Sequence, residues 1–74
     1  MNEPELQIGE LVKWNGDESG RIDEIIGFVG GFGGGIEYLT KETNPKKGKE
    51  PKLGKQFFDS TGDYKNKKVG IIRI

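Results

Sequence analysis

Apolar and polar residues alternate with a period of two in several short stretches of the chain, a pattern typical of half-buried β-strands. The first such stretch spans residues 8–14, and the Asn15-Gly16 pair after it is a strong hairpin signal within a turn that continues to residue 20. The second spans residues 21–29 and is apolar on both faces at its far end. Gly27 inside this stretch predicts a bulge or a bend.

Three further strands are predicted at residues 36–41, 55–59 and 68–74, and no stretch has helical periodicity. Segment 43–54 is rich in lysine, proline and glycine, which predicts a mobile basic loop. Residues 1–7 are interpreted as a flexible leader. Five short strands with apolar residues on both faces favour a sheet curled on itself, so we predict an all-β domain over residues 8–74. Its expected form is a small half-open five-stranded antiparallel barrel.

The opening "IGELVKWNGDESGRIDEI" resembles Src-homology-3-like small barrels, the KOW and Tudor kinds in particular. Those modules begin with a glycine before an alternating strand, followed by a polar turn and by a glycine and a basic residue that open the next strand. The resemblance covers about a quarter of the chain, Ile8 to Ile26, and implies the fold without fixing a function. KOW modules usually carry basic residues at this hairpin, whereas here it is acidic.

The composition excludes several kinds of chemistry. The chain has 74 residues and contains neither cysteine nor histidine, so it lacks disulfides, thiolate metal ligands and the usual general base. The first ten residues are acidic and hold no apolar run, and no apolar stretch is long enough to span a membrane. We therefore expect a cytoplasmic, non-enzymatic protein with no cofactor, no metal site and no membrane partner.

The glycine-rich segment "VGGFGGGI" at residues 29–36 is the most unusual motif. It lacks the lysine and hydroxyl residue of a phosphate loop, and a strand pattern follows it where a helix would be required. Two interpretations of Phe32 remain: it folds back to cap the barrel, or it is an exposed anchor for a partner.

Oxygen-bearing side chains at Asn15, Asp17, Ser19 and Asp23 partly imitate a calcium loop, but Ile26 stands where such a loop has its bidentate glutamate. We interpret the segment as an acidic hairpin turn.

The net charge of zero hides two opposite halves. Residues 1–40 carry eight acids and two bases, a net charge of −6, and residues 41–74 carry ten bases and four acids, a net charge of +6. Either the halves neutralise each other across the barrel, or their local fields steer partners.

Two functions remain. The preferred hypothesis is a protein-interaction module or inhibitor that binds an unidentified protein through the acidic hairpin, the glycine loop or an exposed strand, with homodimerisation as one form. Its candidate residues are Phe32, Asp17, Glu18 and Asp23. The alternative is non-specific binding of DNA or RNA through lysines of the basic loop and of a second cluster before the last strand. These lysines are Lys46, Lys47, Lys49, Lys52, Lys55, Lys67 and Lys68.

Overall fold

The computed structural model describes residues 5–30, 35–62, 64 and 69–74, and these residues form five β-strands and no helix. The strands are β1 (Leu11–Trp14), β2 (Asp23–Gly30), β3 (Ile36–Glu42), β4 (Leu53–Phe57) and β5 (Ile71–Arg73). No helix in this described part is long and apolar enough to cross a membrane.

The strands form one antiparallel sheet in the order β4-β3-β2-β1-β5. The sheet curls until the chain after β4 meets β5, where a single parallel bridge joins Phe58 to Ile71. No ladder closes the barrel there among the described residues. The predicted all-β, half-open, five-stranded antiparallel fold is therefore confirmed, and it is compatible in general terms with a Src-homology-3-like barrel.

The core lies inside the curl of the sheet, where five apolar side chains are buried and the half-buried rings of Trp14 and Phe58 pack against them. The buried residues are Leu6, Val12, Ile25, Tyr38 and Ile71. The sequence predicts Leu6 within a flexible leader, whereas the structure buries its side chain completely. The Tyr38 hydroxyl accepts the backbone N–H of Glu5 at 2.9 Å and of Leu6 at 3.2 Å. The leader expectation thus fails at Leu6, because its side chain completes a core that is short of apolar residues.

The first strand is shorter than its alternation predicted. Ile8 is largely exposed, and Gly9 has a φ of 93°, which only glycine adopts readily. The chain therefore turns at Gly9 and enters β1 at Leu11.

The predicted irregularity of β2 is confirmed, since its register against β3 shifts between Ile25 and Gly27. The extra residue at Ile26 is a β-bulge, and it changes which backbone groups of β2 face β3 beyond that point.

Candidate functional site

The acidic hairpin tip projects Asp17 and Glu18 into solvent, as an interaction surface requires. Ser19 N–H donates to Asp17 Oδ1 at 2.8 Å, which fixes the turn. Hydrogen bonds from Ser19 hold the pKa of Asp17 below its usual value, so this carboxylate is charged at neutral pH.

Asp23 differs from Asp17 and Glu18, the other acidic residues predicted to bind a partner, because its side chain is fully buried. Its carboxylate accepts hydrogen bonds from Thr40 Oγ1 at 2.8 Å, Trp14 Nε1 at 3.2 Å and Arg21 Nε at 2.7 Å. Burial alone raises the pKa of Asp23, but the hydrogen bonds from Arg21, Thr40 and Trp14 outweigh it and hold the pKa below its usual value. Asp23 therefore anchors the sheet from inside and is not presented to a partner.

The base of the lysine loop is tied to the end of the acidic hairpin. Thr43 N–H donates to Ile22 O at 2.8 Å, and the Asn44 amide both accepts Ile22 N–H at 3.0 Å and donates to Gly20 O at 3.0 Å. These bonds hold the loop beside the hairpin. Its five candidate lysines, Lys46, Lys47, Lys49, Lys52 and Lys55, are exposed.

A groove of about 500 Å³ separates the hairpin from the lysine loop. Its walls carry both signs of charge; they are Asp17, Ser19, Arg21, Glu42, Lys46, Lys49, Glu50 and Lys52. Ion pairs within 4.0 Å among the described residues are Arg21–Asp23 and Arg73–Glu10, so the groove lysines form no ion pair in this part of the chain. Carboxylates facing these lysines lower the positive potential that a phosphate backbone would meet.

The oxygen-bearing side chains between Asn15 and Asp23, whose spacing partly matches a calcium loop, do not converge on a common point. Asn15 Nδ2 turns inward and donates to Asp59 Oδ2 at 3.1 Å and to Val69 O at 2.9 Å, while Asp23 points into the core. In the described part of the chain, no group of three or more acidic side chains is placed to hold a metal ion.

Phe32 and the rest of segment 31–34 lie outside the described residues, as do Lys65, Lys67 and Lys68. The strands that lead into and out of segment 31–34 are described, and they form the β2–β3 arm, defined here as residues 26–30 and 35–38. Three apolar side chains of this arm are more than two-fifths exposed: Ile26 at 43%, Phe28 at 43% and Val29 at 42%.

The far part of β2 has no strand on its other side among the described residues, because β1 pairs with β2 only at Asp23 and Glu24. Just beyond that pairing, Gly9 N–H donates to Ile25 O at 2.8 Å, and Ile25 N–H donates to Glu10 O at 2.9 Å. No described residue bonds to the backbone of β2 beyond the bulge on this side.

The ladder determines which backbone groups of the arm face solvent. In antiparallel pairing, alternate residues of a strand bond to a given neighbour. Glu42 N–H donates to Lys52 O at 2.8 Å, so the backbone of Glu42 faces β4. By the same alternation, the backbones of Thr40 and Tyr38 also bond to β4. Leu39 and Glu37 then bond to β2, at Gly27 and Val29. Along β2, Phe28 and Gly30 alternate with Gly27 and Val29. The backbone N–H and C=O groups of Phe28 and Gly30 therefore point away from β3.

The two outer strands of the sheet are better protected. At the β4 edge, Pro51 and Lys52 come just before the strand, and Lys55 lies at its centre. Charged residues and proline at a sheet edge typically prevent unwanted strand pairing. At β5, Asp59 N–H donates to Ile71 O at 2.8 Å, which covers part of that edge. The β2 edge of the β2–β3 arm has neither protection in the described part of the chain, since residues 25–36 contain no charge and no proline and no described segment bonds to the outward side of Phe28 or Gly30.

Comparisons of the chain with protein-family models, with curated proteins and with solved structures found no match. The geometry of the described residues therefore carries the functional argument by itself.

Proposed function

We propose that the protein is a non-enzymatic interaction module that binds an extended polypeptide segment along the free edge of the β2–β3 arm. One observation carries the proposal: the outward N–H and C=O groups of Phe28 and Gly30 have no partner among the described residues, on a strand whose exposed side chains are apolar. An added strand would satisfy these groups and cover Ile26, Phe28 and Val29.

The contrast with the other edges supports this choice of surface. Exposed, uncharged strand edges promote uncontrolled pairing, and proteins usually protect them with lysine, proline or a covering loop. Lysine and proline stand at β4 and a covering segment at β5, whereas no described residue covers the β2 edge of the arm. The acidic hairpin adds a second contact region through Asp17 and Glu18, both exposed at its tip.

Selection of random peptides on the immobilised protein, followed by NMR titration of the selected sequences, tests the proposal. We expect uncharged, β-branched or aromatic peptides that shift the amide signals of Gly27–Gly30 and slow hydrogen exchange at Phe28 and Gly30. Peptides that shift only the signals of the hairpin or the lysine loop would contradict it.

A pair of variants sharpens this test. Gly30→Pro removes an outward N–H without removing a ladder bond, while Gly30→Ala keeps that N–H, and a Cβ at Gly30 meets no atom within 4 Å. We expect peptide binding to weaken about tenfold or more in Gly30→Pro, as for a lost hydrogen bond at a paired edge, and by less than about threefold in Gly30→Ala.

Nucleic-acid binding through the lysine loop is the second candidate function. The exposed lysines of the loop, none of them in an ion pair within the described part of the chain, favour it, while Asp17, Glu42 and Glu50 on the same groove weaken it. It predicts salt-sensitive binding of oligonucleotides, with a logarithmic salt slope that falls by about two when Lys46 and Lys49 are both replaced by glutamine. Binding that is absent at low salt would exclude this function.

A further inference from the structure

We propose that the strand which covers the β2–β3 arm belongs to a second copy of this chain, so that two protomers form a twofold dimer with one continuous sheet. This inference rests on the proposed function and names the partner of the same edge. It follows from the spacing of the outward groups, from the side chains beside them and from the distribution of charge along the sheet edges.

The outward groups of the arm are self-complementary. In a twofold antiparallel pair centred on Val29, Phe28 of one copy lies opposite Gly30 of the other. Phe28 N–H then donates to the partner's Gly30 C=O, and the partner's Gly30 N–H donates to Phe28 C=O. The twofold axis repeats both bonds. The four outward groups that Phe28 and Gly30 provide on each copy are all satisfied in this register.

The side chains fit the same register. Phe28 is 43% exposed, and its ring contacts Tyr38 edge to face at a centroid distance of 6.3 Å. At Gly30, no atom of the described residues lies within 4 Å of the position that a Cβ would occupy. An aromatic ring opposite a strand glycine covers that glycine's exposed backbone, so the Phe28 ring of each copy covers Gly30 of the other. The two Val29 side chains meet at the axis on the opposite face, in a closely spaced apolar pair.

Charge also favours a second copy at this edge over the edge of β4. A twofold pair of β2 strands brings no like charges together, because residues 25–36 are uncharged. A twofold pair of β4 strands would set Lys55 of one copy near Lys55 of the other. Self-association is therefore compatible with the arm and disfavoured at the opposite side of the sheet.

The contact is small, because it consists of a few residues from each copy. A stable interface buries about 1,200–2,000 Å² in total, and edge pairing over so short a stretch buries less. We therefore expect a reversible dimer with a dissociation constant in the micromolar range.

Analytical ultracentrifugation of the full chain, from about 5 µM to 1 mM, tests the inference with two variants matched in chemistry. Gly30→Pro removes an outward N–H of the arm, and Lys55→Pro removes the outward N–H at the centre of β4. We expect the wild type and Lys55→Pro to dimerise with similar affinity, and Gly30→Pro to weaken the dimer at least tenfold. The ¹H–¹⁵N spectrum of each variant confirms that it is folded.

Two outcomes of this experiment would overturn the homodimer. A wild type that stays monomeric up to 1 mM contradicts it, and so does a dimer that Gly30→Pro leaves intact. If the protein is monomeric but selected peptides still shift the Gly27–Gly30 amides, the proposed function stands and only the identity of the partner is wrong. If neither peptides nor concentration changes those amides, both proposals fail.

Discussion

The Asp23 carboxylate connects three strands through side chains that lie far apart in the sequence. Trp14 on β1 and Thr40 on β3 donate to it, and Arg21 donates two bonds, from Nε at 2.7 Å and from Nη2 at 2.9 Å. The Arg21 guanidinium also lies 5.2 Å from the centroid of the Trp14 ring. A buried carboxylate is costly unless its hydrogen bonds are satisfied, and here all its donors come from the sheet and its flank.

We predict that Asp23→Asn destabilises the fold by about 2 kcal/mol, because it removes charge-assisted bonds and leaves Arg21 without its partner. Urea unfolding measures this change. Glu24→Gln, one residue away on the opposite face, is the matched control and should stay within about 0.5 kcal/mol of the wild type. Equal effects of the two substitutions would contradict this role of Asp23.

The acid dependence of stability follows from the same carboxylate. The pKa of Asp23 is lower in the folded protein than its ordinary value, so the charged form stabilises the fold at neutral pH. This contribution is fully present above the unfolded-state pKa of about 3.9 and is lost as the pH falls through the folded-state pKa. We therefore expect the stability difference between wild type and Asp23→Asn to be constant from pH 5 to 7 and to shrink below about pH 4. A difference that stays constant down to pH 2.5 would contradict the assignment.

Gly54 permits the close approach of Trp14 to β4. A Cβ at Gly54 would overlap the Trp14 ring and lie 2.9 Å from Thr40 Oγ1. We predict that Gly54→Ala costs about 1–3 kcal/mol through overpacking, while Gly30→Ala, which meets open space, is close to neutral. Thermal unfolding of the two variants checks the prediction, and a neutral Gly54→Ala would show that Trp14 repacks freely.

At the scale of elements, the segment before β1 is part of the folded domain. Arg73 donates to Glu10 Oε1 at 2.8 Å and to Glu5 O at 2.9 Å, so the end of β5 holds this segment against the sheet. Its guanidinium also lies 5.1 Å from the centroid of the Phe58 ring. These contacts bring the segment before β1, the end of β5 and the residue after β4 together where the barrel is half open.

We predict that Leu6→Ala lowers the free energy of unfolding by about 2–4 kcal/mol, because Leu6 is completely buried in the core. Ile8→Ala is the matched control and should have little effect, since Ile8 is 65% exposed. Chemical denaturation distinguishes the two. A Leu6→Ala variant as stable as the control would contradict the role of Leu6 in the core and would support a flexible leader.

The alternation of apolar residues predicted five antiparallel strands and no helix, and Gly27 correctly indicated a bulge in β2. The same alternation placed Ile8 on the buried face and left Leu6 out of the core, because a local pattern does not reveal the turn at Gly9. Asp23 looked like one more exposed acid, since its donors Trp14 and Thr40 are brought to it only by strand pairing.

At the scale of the whole molecule, the groove between the hairpin and the lysine loop carries both signs of charge, and most of its charged groups come from the lysine-rich half, since only Asp17 and Arg21 come from residues 1–40. The β2 edge of the β2–β3 arm, within the uncharged residues 25–36, does not line this groove, and the sequence indicates this edge only as apolar residues on both faces beside many glycines. This edge became identifiable once the bulge and the ladder fixed the direction of each backbone group.

Amide hydrogen exchange at Phe28 and Gly30, measured by NMR at about 20 µM and about 1 mM protein, reports directly on whether the β2 edge of the arm pairs with another strand. If the edge of the arm pairs with another strand, both amides exchange more slowly in the concentrated sample, or with a selected peptide, than in the dilute sample, while the exchange of Lys55 does not change. Exchange at Phe28 and Gly30 that is the same at both concentrations and unaffected by peptide would contradict strand pairing at this edge.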